Sequence, residues 1–299
     1  MSSSRMHLFA VTGVLALALT GCAQAAPSVE GTPAPAASSA APGAAALAAV
    51  SPAEGGLVGG ERVTLTGEHL DAVTSVLFGE EAGTDLRVEG DGSLSVIVPA
   101  KHGFQPGAVA VTALTAEGTA VAGGANFDYR AVAPVDHQMQ YLFTHWNNYN
   151  TSVWGNMNPS GGDCTNFTSQ GLIARGWAQS PQWNSPGVNA PASTESWRFT
   201  PSMDQWLASD ASRGAKRLEL DQRDQLKIGD IGMFLWTGQG RPDHVMTVSS
   251  VKVVDGQTKV AFVSHNLDGD YRDLDELIAE KNAANTGGAQ MKAWFYSIP

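Results

Sequence analysis

Chemistry first becomes readable in the run Gly161-Gly162-Asp163-Cys164-Thr165-Asn166-Phe167-Thr168-Ser169-Gln170. Two glycines free the backbone for a turn, and Asp163 then stands where a helix N-cap belongs. Cys164 falls in the first helical turn, with Phe167, Leu172, Ile173 and Ala174 as apolar positions and Gly176 as the stop. The positive end of a helix favours thiolate, so this placement fits a nucleophile. A lone cysteine beside a helix is also simply a small buried hydrophobe, and both readings stand at this point. A thiolate nucleophile needs a base, and the base needs a partner to orient it.

Of seven histidines, position sets five aside. His7 lies in an N-terminal targeting segment, His69 and His102 in a β-rich first half, and His137 and His145 on a helix preceding the cysteine. His244 and His265 remain, on two β-rich runs joined by Asp255-Gly256, a strong hairpin signal. A two-residue loop there puts His265 on the same face as His244. A three-residue loop or a bulge shifts the parity and brings Asn266 round instead. Either could hold the far imidazole nitrogen of His244, and the plain alternative is two histidines hydrogen-bonded within a sheet. The acidic run from Asp268 to Glu276 lacks the glycine and terminal glutamate of an EF-hand and reads as the start of a helix. Two histidines and a cysteine without tight spacing make no zinc motif, and no cofactor is expected.

Composition narrows the setting. The chain has 299 residues, a net charge of -11 and a pI near 5.0, with no basic cluster, so phosphate-neutralising nucleic-acid binding has no support. Arg5 followed by the apolar run Leu8 to Leu19 reads as a targeting segment too short for a membrane span. Leu19-Thr20-Gly21-Cys22 resembles the lipobox of bacterial lipoproteins, which implies cleavage before Cys22 and a lipid on its thiol. An ordinary signal peptide cut near Ala23-Gln24-Ala25 is the alternative; either way the chain is expected outside the cytoplasm. Only two cysteines exist, so lipidation of Cys22 leaves Cys164 without a disulfide partner.

The elements that must position these residues fall into two textures. After the signal (1–21) and an Ala-, Pro- and Ser-rich tether (22–47), residues 48–131 alternate β-formers with turn signals, as in Arg62 to Thr66, Val73 to Phe78, Leu94 to Val98 and Ala108 to Leu114. This predicts an all-β sandwich. Ser51 to Gly67, Val76-Leu77-Phe78-Gly79 and Val96-Ile97-Val98-Pro99 resemble an IPT/TIG domain, which implies an immunoglobulin-like module serving as spacer or binding unit. Residues 134–299 hold all eight tryptophans. They predict a helix over 135–147, the Cys164 helix, a short helix near 202–209, and a strand entered at Gly229-Asp230-Ile231. A hairpin from His244, a helix over 273–284 and a final strand over 293–298 follow. A helix packed on an antiparallel sheet makes this an α+β domain.

Taken in order, Tyr149-Asn150, Gly161 to Gln170, Ser196-Trp197, Gly229-Asp230-Ile231, Asp243-His244-Val245 and Ser264-His265-Asn266 resemble the putative amidase domain family. That family is papain-like and related to CHAP-type wall hydrolases. Thr168, where a small aliphatic is usual, and Arg175-Gly176, where a second glycine is common, depart from its pattern. The resemblance implies Cys164 as nucleophile, His244 as general base and His265 or Asn266 as orienting residue. The backbone N–H of Cys164 is the natural first oxyanion donor, and Tyr149, Asn150 and Asn158 are open as the second. The expectation is therefore a monomeric, membrane-tethered, extracytoplasmic cysteine hydrolase of amide bonds with peptidoglycan as substrate. An inactive wall-binding or adhesion module, or an acyl transferase using the same cysteine, are the alternatives.

Overall fold

The computed structural model describes residues 43–299, apart from 190, 191, 210, 267, 286 and 287. The targeting segment, Cys22 and most of the tether lie outside the described residues. Two five-stranded sheets open the described chain. Their strands are β1 (Ala46–Ser51), β2 (Glu54–Gly56), β3 (Arg62–Glu68), β4 (Val73–Phe78), β5 (Glu81–Ala82), β6 (Thr84–Gly90), β7 (Ser93–Ile97), β8 (Gly107–Thr115), β9 (Ala122–Gly123) and β10 (Ala125–Arg130). One sheet has the order β6-β7-β3-β1-β9 and the other β2-β10-β8-β4-β5. Alternating residues such as Val63 and Leu65, or Val76 and Phe78, point inward and are buried.

The remainder is a six-stranded sheet flanked by helices. Its strands β11 (Lys216–Glu219), β12 (Ile231–Leu235), β13 (His244–Val254), β14 (Gln257–Ser264), β15 (Gly269–Asp273) and β16 (Lys292–Ser297) have the order β11-β16-β12-β13-β14-β15, with all pairings antiparallel. The helices are α1 (Pro134–His145), α2 (Thr151–Trp154), α3 (Cys164–Ala174), α4 (Glu195–Arg198), α5 (Thr200–Ala208) and α6 (Leu274–Ala284). The third sheet is sealed on both faces. Ile231, Met233, Val245 and Tyr296 pack toward α3 with Leu172, Trp183 and Trp197. Phe234, Met246, Val248, Phe262 and Phe295 pack toward α6 with Leu274 and Leu277. Among the described residues no helix is long and apolar enough to cross a membrane.

The sandwich does not end where the helices begin. Met139 and Leu142 of α1, Phe167 of α3 and Val263 of β14 belong to the same apolar cluster as the sandwich core. The fully buried Asp136 accepts from the backbone N–H groups of Val132 and Ala133 at the start of α1. It also accepts from Val58 N in the sandwich at 2.9 Å. Phe104 meets Phe143 of α1, and the Tyr271 hydroxyl accepts from Gly103 N at 3.0 Å. Helix α1 in turn lies so close to α3 that a Cβ at Gly171 would stand 2.9 Å from Leu142. Leucine-sized overlap at that distance leaves glycine as the residue that fits.

A bulge in the β13–β14 hairpin decides which side chains meet α3. The loop is the two-residue Asp255-Gly256, with Val254 paired to Gln257. The register slips between Val248 and Ser250, so Thr247 pairs with Val263. The parity beyond the bulge is therefore reversed from that of the unbulged hairpin, and His244 and His265 leave opposite faces. This corrects the same-face expectation that the loop length alone gives.

Candidate functional site

Cys164 is the first residue of α3, as the Gly-Gly-Asp-Cys spacing predicts. Its sulfur is not presented to solvent. The residue is 8% exposed, and Sγ sits 3.7 Å from Thr200 Oγ1 and 3.8 Å from Thr165 Oγ1. Those two hydroxyls lie 2.9 Å from one another, and the backbone N–H of Val245 also reaches the sulfur. Burial pushes the thiol above its ordinary value, outweighing these polar contacts. Helix placement by itself predicts the opposite direction; desolvation is the larger effect here.

Asp163 does not cap the helix that it precedes. One carboxylate oxygen accepts from Met157 N at 2.8 Å and Asn166 Nδ2 at 3.0 Å. The other lies 2.6 Å from His265 Nδ1, both residues being 1% exposed. His265 Nε2 meets the His145 carbonyl at the end of α1 at 2.9 Å. Its ring is stacked between Tyr149 and Phe167, with centroids 3.5 and 3.7 Å away. Both imidazole nitrogens are thus engaged, and the residue fastens α1, α3 and the end of β14 together.

The cap that Asp163 leaves unfilled comes from Asn266, a hundred residues downstream. Its Oδ1 accepts from Cys164 N at 2.8 Å and from Asp163 N, and its Nδ2 donates to Asn158 Oδ1. Asn266 has φ +60°, the left-handed region that asparagine tolerates better than most residues. Asp268 Oδ1 braces that turn, accepting from Asn266 N at 3.0 Å and from the Tyr149 hydroxyl at 2.7 Å. Burial pushes Tyr149 up to about 12, so it is a proton donor at neutral pH.

His244 stands elsewhere. It pairs with Phe234, and its ring packs 5.4 Å from Trp236 on the α6 face, whereas the next residue, Val245, faces Cys164. It is 4% exposed, and Nε2 has no hydrogen-bond partner. Burial first, then the nearby Arg272 and Lys281 charges, lower it to about 3, so the ring is neutral. The structure thus brings Cys164, His265 and Asn266 to one helix end but leaves His244 across the sheet. This corrects the expected Cys164–His244 dyad, for the strand alternation that turns Val245 to α3 turns His244 away.

Of the open oxyanion candidates, Asn158 reaches this helix end through Asn266, and Tyr149 through Asp268. Asn150 instead donates to the Tyr141 hydroxyl. Thr200 and the diverted Asp163 carboxylate are the contributors that the linear motif hides. The acidic run serves structure: Asp273 caps α6 by accepting from Asp275 N and Glu276 N, while Asp275 pairs with Arg223 and Lys259.

A cysteine that opens a helix on an antiparallel sheet, with a polar network closing the helix end, defines the class of this site. The chain belongs to the family described as "Putative amidase domain", whose family model matches residues 133–287, just over half of the sequence. The family name is that of an amide hydrolase. No curated protein matches the chain. Two solved structures from Bacteroides ovatus are similar to parts of it. An auxiliary nutrient binding protein of strain ATCC 8483 is 23% identical over 29% of this chain and 21% of its own, with a TM-score of 0.23. The mixed-linkage glucan utilization locus protein SGBP-B, in complex with a mixed-linkage heptasaccharide, is 9% identical over 82% of this chain and 50% of its own, with a TM-score of 0.22. The chain spans half or less of the length of either.

Proposed function

We propose that this chain is an extracytoplasmic, papain-like cysteine hydrolase that cleaves amide bonds of peptidoglycan, held at the membrane by a lipid on Cys22. The observation that carries the reading is the backbone N–H of Cys164, which already holds an amide oxygen, that of Asn266, at 2.8 Å. The same N–H would hold the oxygen of a substrate carbonyl as negative charge develops on it. In the reaction Sγ bonds to the carbonyl carbon, the C–N bond breaks, and the leaving amine departs with the proton that the thiol gave up. Water then hydrolyses the thioester and restores the thiol. His244, on the α6 face of the sheet, does not reach the sulfur in this fold.

A second reading is favoured by that same placement. A thiol raised by burial, with the histidine on its side of the sheet, His265, already engaged at both ring nitrogens, suits a family member that binds wall peptides without cutting them. Incubating purified cell wall with the protein and with Cys164→Ala separates the two. Mass spectrometry that finds new amine and carboxyl ends with the wild type alone supports the hydrolase. Wall retention without release by either protein overturns it in favour of the binder.

A further inference from the structure

Asn266 does more than terminate α3. Its carboxamide is a small amide bound at three points, with the oxygen on the N–H groups of Asp163 and Cys164 and the nitrogen on Asn158 Oδ1. Gly162 leaves the space for it, since a Cβ there would stand 3.2 Å from Asn266 Oδ1. The oxygen end thus carries two convergent donors, and the nitrogen end carries an acceptor. A substrate amide presents the same two ends.

We propose that Asp163 N, Cys164 N and Asn158 Oδ1 form the receptor for the substrate's amide group, and that Asn266 is an internal occupant which substrate displaces. The inference rests on the amide-hydrolase reading, and it assigns what the sequence leaves open. Asp163 N is the second oxyanion donor, and Asn158 holds the N–H of the scissile bond. The occupant is carried on a turn suited to release. Asn266 is held in the left-handed region, and Asp268, two residues on, is exposed.

A helix cap and an occupied receptor make different predictions once the side chain is removed. Asn266→Gly deletes the carboxamide at a position whose φ glycine adopts freely. Propionamide is then titrated into the 15N-labelled protein while the backbone amide signals of Asp163 and Cys164 are followed. Saturable shifts at both signals in Asn266→Gly, with none in the wild type, are expected. Adding Asn158→Ala should weaken that binding about tenfold, the loss of one hydrogen bond. A folded Asn266→Gly that shows no saturable shift, or a wild type that responds equally, overturns the proposal. Should Asn266→Gly fail to fold, the same titration on Asn266→Ala decides, with the same two outcomes. Neither readout needs turnover. A chain that takes up propionamide but leaves wall uncut therefore loses the hydrolase reading and keeps the receptor.

Discussion

Replacing His244 by leucine tests the placement on which the site description turns. In the folded chain the ring is buried against Trp236, neutral, and lowered to about 3, whereas an unfolded histidine titrates near 6.5. Between those values the unfolded state binds a proton that the folded state refuses. Stability is therefore complete above the unfolded value and is lost as the pH falls toward the folded one. One proton makes the slope about 1.4 kcal/mol per pH unit in that window. From neutrality to about pH 4.5 the wild type should lose roughly 2.5 kcal/mol through this residue alone. Urea unfolding followed by tryptophan fluorescence at both pH values, on wild type and His244→Leu, gives the quantity as a difference of differences. Carboxylates common to both proteins cancel in it. Wild type and variant losing stability in parallel would show that the ring is not sealed on the α6 face, away from Cys164.

Two further outcomes follow from the same geometry. In the absence of wall, alkylation of Cys164 by iodoacetamide should be slow at neutral pH and should accelerate only above the pH at which an ordinary thiol ionises, because burial pushes it up; a rate plateau below neutrality would contradict this. His265→Ala leaves the second oxygen of the buried Asp163 carboxylate unpaired and should cost about 3–5 kcal/mol of unfolding free energy. Chemical denaturation checks it, and a loss below about 1 kcal/mol, the range of exposed pairs, would mean that the pair is not buried.

Much of the fold was legible from residue order. The expected strands at Arg62 to Thr66 and Val73 to Phe78 are β3 and β4, and the helix expected over 273–284 is α6, opened by the Asp273 cap. Alternation, turn residues and caps are local, and local preference agrees with the fold at these places. The join between sandwich and helices was not legible in the same way. Asp136 looks like an ordinary first-turn carboxylate, and only packing shows that it also accepts from Val58, 78 residues earlier.

The candidate site divides along the same line. By itself the sequence determined that Cys164 opens a helix, that Asp255-Gly256 closes a hairpin, and that His265 and Asn266 follow its second strand, because each depends on neighbours within a few positions. The tertiary structure alone decided which of them meet. In the paired strands a bulge lies between Val248 and Ser250, and one extra residue reverses every side chain beyond it. That bulge leaves His244 on the far side of the sheet and carries His265 to Asp163. With the Asp163 carboxylate so engaged, the amide of Asn266 comes to rest on the N–H of Cys164. Period-two patterns name the faces of a strand, but register assigns them, and register is a property of two strands rather than one.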